Sequence, residues 1–412
     1  MSADAVVVIV AGALLLITSV SGVLDRVWLT EPLLATVLGV IVGLAFFQVD
    51  LEDEIILTLL ELTLALVLFT DASRIDLAHL RDGYSWPLRM LVIGLPIVVL
   101  LGTGLGMGYL GLPLGLALLL GVVLAPTDAA LAEPVLEAET VPARVRQTLN
   151  VESGLNDGLA VPFLLIALAI IDSEEGASLG ASIGLFVSQL GLGILGGLVM
   201  GWLGALLIGK AAEVGWMNPL HQKLAAVALA VSGYAAVQLI GGSGFVATFI
   251  AGAMMSHLLR PHREYVYNFA EAEGHSMVLL AFFVVGAGPG VQFIHNGAST
   301  EAWVLAGLSL FVLRPVSIWI SLLGRQLNRR TIVFLGWFGP RGLATVVFAL
   351  VVIEEMGAID PLVLETITVA VVASIVLHGL SAVPMSRWLG SMEMGDDMPE
   401  MGEAFGHPTR RL

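Results

Sequence analysis

Apolar residues in this chain come in long unbroken runs, with polar residues confined to short stretches between them. Runs such as 5–24, 86–110 and 361–386 show neither the alternation of a half-buried strand nor the one-sided stripe of a surface helix. Each approaches or exceeds the ~20 residues that carry a helix across a bilayer. Only helices and closed barrels satisfy their backbone groups in lipid, and the alternating ten-residue segments of a barrel are absent. The pattern predicts about thirteen helical spans, near 5–24, 32–48, 54–71, 86–109, 112–137, 144–171, 180–209, 217–240, 243–259, 275–294, 301–323, 331–353 and 361–386. The expected fold class is an all-α polytopic membrane protein.

The basic residues test that count. Arg26; Arg74, Arg81 and Arg89; Arg144 and Arg146; Lys210 and Lys223; Arg260 and Arg263; Arg325, Arg329 and Arg330; and Arg387, Arg410 and Arg411 fall in every second connection and in the tail. The connections near 50, 111, 174, 241, 297 and 357 carry none. The excess of Lys and Arg on the cytoplasmic side then predicts an outside N-terminus and a cytoplasmic C-terminus in a cell membrane. Arg314 and Arg341 alone remain, and both fall inside apolar spans.

Composition agrees: 57% of the 412 residues are hydrophobic and 13% are charged, and the mean hydropathy is +0.94. Without cysteine there are no disulfides, thiol nucleophiles or thiolate metal sites. The net charge of -16 argues against a nucleic-acid partner, and its acids gather in loops such as Asp50, Glu52, Asp53 and Glu54. The opening MSADAVVVIV has no basic stretch ahead of its apolar run, so the first span is expected to be retained. The segment 391–412 is polar, short and expected to be disordered, leaving 1–390 as one transmembrane domain.

An ionisable side chain inside a span is costly, which makes each a functional candidate. They are Glu61 and Asp71, Asp128 and Glu133, Glu152 and Asp157, and the two arginines. In LNVESGLNDGLAVP, Glu152 and Asn156 are four apart, as are Ser153 and Asp157, so a helix shows them as one patch of oxygen ligands suited to a hard cation. Removing a carboxylate from water favours its protonated form. One such group can hold a proton or a cation in turn, which is the chemistry of an ion-coupled transporter. APTDAAL and FGPRGLA each place prolines or glycines mid-span, predicting helices interrupted around Pro126 and around Gly339, Pro340 and Gly342. Two such interruptions in corresponding places suggest inverted repeats. No Ser–His pair, paired-aspartate protease arrangement or metal-ligand spacing points to an enzyme. A cation channel and a non-transporting sensor remain as other classes. His378 is the one histidine placed deep enough to merit testing as a pH sensor. The glycines from Gly191 to Gly204 predict close helix packing.

The segments APTDAAL, NVESGLNDG, FVLRP and FGPRGLATVVFAL, with LVLFTDASRIDL, resemble the monovalent cation/proton antiporters of the NhaP and NHE type, in order and spacing, from about residue 55 to 385. The resemblance implies an NhaA-like fold with two crossing interrupted helices. It implies an ion-carrying core over 86–171 and 301–386 and a dimerisation scaffold over 5–71 and 180–294. Asp157 would be the carboxylate that carries cation and proton, with Asn156 beside it and Ser153, Thr127 and Asp71 as further cation ligands. Glu152 would pair with Arg314, and Asp128 with Arg341 would stabilise the crossing. The family often has Glu where Asp71 stands, and the shorter side chain suggests contact through water. One exchangeable carboxylate next to an asparagine implies electroneutral exchange of Na+ or Li+, alternatively K+, for H+ by a homodimer with no cofactor.

Overall fold

The computed structural model describes residues 3–27, 30–49, 53–73, 85–174, 176–259, 263–356, 360–391 and 400. Asp50, Glu52, Arg74, Arg81, Arg260, Arg410, Arg411 and the tail other than Ser391 and Glu400 lie outside the described residues. Helices occupy each of the expected spans, and no strand occurs among the described residues. They are α1 (Ala3–Val27), α2 (Glu31–Ala45) and α3 (Glu54–Ser73), then α4 (Ser85–Leu110). An interrupted helix follows as α5 (Leu114–Val123) and α6 (Ala129–Leu136). Next come α7 (Ala143–Glu174), α8 (Leu179–Glu213), α9 (Pro219–Leu239) and α10 (Gly244–Leu258). α11 opens as Arg263–Val285 and continues through a π-helical turn, Gly286–Gly290, into Val291–Asn296. α12 (Thr300–Ser321), the halves α13 (Arg329–Trp337) and α14 (Leu343–Met356), and α15 (Pro361–Gly390) complete the chain.

Seven helices among the described residues are long and apolar enough to cross a membrane unaided: α3, α4, α7, α8, the 274–296 part of α11, α12 and α15. Shorter apolar helices lie within α1 and α9 and form α2, α5 and α10. By length and composition alone, therefore, thirteen crossings are not established. The interrupted spans fall short because each is split.

The helix starts follow local chemistry. Ser178, Asn218, Ser243, Ser299, Asn328 and Asp360 each accept a backbone N–H one turn into the following helix. Such caps satisfy donors that no intrahelical carbonyl can reach. Pro219 and Pro361 follow their caps directly, where a missing N–H costs nothing.

Two packing groups emerge. α10 lies against α8 and α3, α11 against α2, and α9 against α8, α10 and α11. α4 packs on α5, α5 on α7, α12 on α13 and α15, and α15 on α6. α3 and α7 join the two groups. Gly193, Gly197 and Gly201 line the α8 face that receives the α10 backbone: an added Cβ would stand 2.9, 2.6 and 2.8 Å from the carbonyls of Ser243, Ala247 and Ala251. Gly191 faces open space.

The second group shows internal symmetry. α4 and α12 each contain a π-helical turn, Met90–Gly94 and Ser309–Leu313, and each turn ends two residues before a proline, Pro96 or Pro315. In each triplet an interrupted helix comes next, followed by a helix of thirty or more residues. α4 meets α12 where Arg89 donates from Nε to the Ser321 carbonyl at 2.5 Å and from Nη2 to the Leu323 carbonyl at 3.1 Å. At the end of the chain Glu400 is buried, accepting the Asn328 N–H at 2.7 Å and the Thr331 hydroxyl at 3.0 Å.

Candidate functional site

The two interruptions, at 124–128 and 338–342, cross each other. Pro126 and Pro340 have no N–H to give, and each falls in a break of its helix. The Asp128 N–H donates across the crossing to the Pro340 carbonyl at 2.8 Å. Its Oδ1 accepts from Ala130 and Leu131 at 2.9 and 3.2 Å, capping α6. Its Oδ2 accepts the Leu343 N–H at 2.9 Å, capping α14. Arg341 mirrors this at the opposite ends, donating from Nη1 to the carbonyls of Gly339 and Pro126 at 2.9 and 3.4 Å. A carboxylate thus serves two helix N-termini and a guanidinium serves two C-terminal ends, each matching the local dipole. Gly342 is required here, because a Cβ would run into the Asp128 carboxylate.

α7 carries the NVESGLNDG motif past this crossing, with Glu152, Ser153, Asn156 and Asp157 all buried. Arg314 forms a two-pronged pair with Glu152, Nη1 to Oε1 at 2.5 Å and Nη2 to Oε2 at 2.8 Å. Asn156 Nδ2 donates to Glu152 Oε1 at 3.2 Å and to Thr127 Oγ1 at 3.3 Å. Thr127 in turn lies 3.3 Å from Ser153 Oγ and 3.5 Å from Glu152 Oε2. Five of the predicted residues therefore form one hydrogen-bonded network that closes the Arg314 side of α7.

Asp157 lies apart from that network. It lines a cavity of about 40 Å³ together with Asp71 and Val67 of α3, Asp128 and Ala129 at the crossing, and Val278 of α11. That volume holds a few water-sized ligands. Asp157 Oδ1 and Asn156 Oδ1 are buried without a hydrogen bond in the structure. Buried acceptors are ordinarily satisfied, so the bare oxygen of Asp157, a lining residue of the cavity, marks a place for a positive or hydrogen-donating ligand. Gly154 brings α3 close: a Cβ there would stand 3.1 Å from Asp71 Cγ. The structure thus joins Asp71, Asp128 and Asp157 around one cavity and places Thr127, Ser153, Asn156, Glu152 and Arg314 in the network beside it. Thr127 and Ser153 do not line the cavity.

Other polar contacts connect the two packing groups. Glu61 of α3 lies close to Tyr234 of α9 and Glu354 of α14. His275 of α11 stands 2.8 Å from Glu31 of α2 and 3.8 Å from Glu133 of α6. Sequence reasoning reached neither Tyr234 nor Glu354: Tyr234 reads as an ordinary aromatic in an apolar run, and Glu354 as part of a loop edge.

Comparison with known proteins adds to this geometry. The family model described as the transmembrane sodium/hydrogen exchanger matches residues 10–388. A K(+)/H(+) antiporter NhaP of Alkalimonas amylolytica is 27% identical over 333 residues, 80% of this chain and 56% of its own length. A K(+)/H(+) antiporter NhaP2 of Shewanella oneidensis is 29% identical over 298 residues, 69% of this chain and 49% of its own. The chain thus spans about half the length of these two curated relatives. A Na(+)/H(+) antiporter NhaP of Pseudomonas aeruginosa is 27% identical over 345 residues and is covered to 78%. Among solved structures, the sodium proton antiporter MjNhaP1 of Methanocaldococcus jannaschii at pH 8 superposes with a TM-score of 0.73 over 93% of this chain and 98% of its own, at 20% identity. That likeness is one of fold.

Proposed function

The chain belongs to the sodium/hydrogen exchanger family of membrane proteins, and from that premise we propose that it exchanges a monovalent cation for a proton, with Asp157 holding each in turn. The observation that carries this reading is the contrast between Asp157 and its neighbours. The Glu152 carboxylate takes bonds from Arg314 and Asn156, and Asp128 is bound by three backbone N–H groups. Asp157 alone of the three buried core acids keeps an oxygen without a hydrogen bond beside the cavity. A group in that position binds one positive ligand at a time, and the two ligands exclude each other.

Asp71 stands on α3 and Asp157 on α7, so the cavity lies where the two packing groups meet. In this reading α4–α7 and α12–α15 move as the ion-carrying core against a scaffold of α1–α3 and α8–α11. Thr127, Ser153 and Asn156 shape the core side of the site, and their oxygens reach the cation when the network loosens. One carboxylate beside a neutral asparagine gives one cation per proton, an electroneutral exchange. The alternation of basic connections supports an outside N-terminus and a cytoplasmic C-terminus in the cell membrane. The family resemblance supports a homodimer joined through the scaffold, which crosslinking in lipid reads directly.

Asp157→Asn removes the exchangeable charge without changing side-chain size. In proteoliposomes that variant is expected to fold and to dissipate no pH gradient on addition of cation; dissipation at the wild-type rate refutes the mechanism. The transported cation is Na+ or Li+ in the favoured reading. The names of the K(+)/H(+) relatives favour a second reading, K+ for H+. Proton flux measured with Na+, Li+ and K+ in turn, at clamped potential, separates the two.

A further inference from the structure

α15 runs alongside the interruption between α13 and α14 and holds both of its ends. His378 is 1% exposed. Its Nε2 stands 2.9 Å from the carbonyl of Trp337, the last residue of α13. Its Nδ1 stands 3.0 Å from Ser374 Oγ and 3.0 Å from the Ser374 carbonyl. With Nε2–H of the neutral ring donating to the Trp337 carbonyl, Nδ1 is an acceptor, so its partner is the Ser374 hydroxyl and not the carbonyl. The same hydroxyl accepts the Arg341 N–H at 2.6 Å. The hydrogens then have one consistent arrangement: Arg341 N–H to Ser374 Oγ, Ser374 Oγ–H to Nδ1, and Nε2–H to Trp337 O.

The Trp337 carbonyl also accepts the Gly339 N–H at 2.8 Å, so His378 is its second partner. The Arg341 N–H has no helical acceptor and is satisfied by Ser374. Left buried and unpaired, that N–H would cost more than the bond it makes. The ring also packs against Trp337, at 4.9 Å between centroids and 31° between planes, and meets Phe338 at 6.2 Å and 60°. Beyond the bridge lie Arg341, which reaches Pro126 on the other interrupted helix, and Leu343, whose N–H binds Asp128. Asp128 and Leu343 are walls of the cavity that Asp157 faces.

We propose that His378, acting with Ser374, is a positioning residue for the exchange: it fixes the separation of the two ends of the interruption and so sets where Asp128 and Leu343 stand around the ion cavity. This rests on the cation/proton reading given above. The role requires a donor and an acceptor on one side chain, not a titrating ring.

Cation-driven proton flux in proteoliposomes, normalised to folded protein, tests it. His378→Leu is expected to raise the apparent KM for the cation about tenfold, the effect of one lost buried hydrogen bond, with a smaller change in maximal rate. Ser374→Ala, which removes only the shared hydroxyl, should shift KM the same way, and it carries the test if the leucine variant does not fold. His378→Gln, whose amide both donates and accepts, should restore KM and leave the pH profile unmoved. A mere packing role would lower the folded yield and leave KM alone. A transporting wild type with KM unchanged in His378→Leu and Ser374→Ala overturns this proposal alone, as does a glutamine variant as impaired as the leucine variant. A wild type that moves no protons overturns the antiport reading, and this proposal with it.

Discussion

Among the described residues, five charged side chains are buried within the core helices, and their partners separate them. The Glu152–Arg314 pair is enclosed on both sides, with 1% and 3% of the side chains exposed. Its partners are 162 positions apart in sequence, so no local spacing could have joined them; the family motifs did. Removing one member strands the other, at a cost of about 3–5 kcal/mol, whereas removing both strands nothing. Glu152→Ala and Arg314→Ala should each lower thermal stability in detergent markedly, and the double variant should be more stable than either. Additive losses would mean that the two groups are stabilised by separate partners. The amide of Asn156, by contrast, was not legible in its role. Its reach to Thr127 at 3.3 Å depends on the second helix of the triplet coming back past α7, and the sequence holds no sign of that distance.

The interruptions were readable at the level of the element because proline and glycine act on the backbone locally. Pro126 and the run Gly339, Pro340 and Gly342 break their helices where the sequence places them. The π-helical turns of α4 and α12 were not readable, since a π turn keeps the apolar character of its surroundings. Yet those turns, each two residues before a proline, reveal the internal repeat better than any residue identity. They also show Leu95 as the counterpart of Arg314, so the pair with Glu152 exists in one repeat only. Gly342→Ala tests the closeness of the crossing. The added methyl would meet the Asp128 carboxylate, and overpacking of this kind costs about 1–3 kcal/mol. A lower melting temperature with reduced transport is expected; an alanine variant with wild-type stability would mean that the crossing has slack.

Across the whole molecule, the site sits where α3 faces α7, and exchange at one carboxylate there makes a kinetic prediction. In the proposed reading protons and cations compete for Asp157, so acidification on the side where the cation is supplied should raise its apparent KM. The rise should approach about tenfold per pH unit once the proton is the dominant occupant, while the rate at saturating cation is retained. Initial rates over a grid of pH and cation concentration check this, and a KM independent of pH throughout would require separate sites. Span positions were legible because bilayer thickness writes itself into composition. The facing of Asp71 and Asp157 across a boundary was not, because it depends on how the two helix groups pack.

The crossing has a further consequence for leakage. Among the described residues of the core helices, Asp128 and Glu152 are matched in number by Arg341 and Arg314, which leaves Asp157 as the one extra buried acid; Glu400, also buried, lies beyond the last helix. An unloaded core therefore carries one uncompensated negative charge, and moving a bare charge through a low-dielectric barrier is penalised by several kcal/mol. A core holding one proton or one monovalent cation is neutral and escapes that penalty. In the proposed antiport, the offset at the crossing would then act as a ratchet on stoichiometry: the carrier returns only when loaded, so cargo moved in one direction is answered by cargo moved in the other.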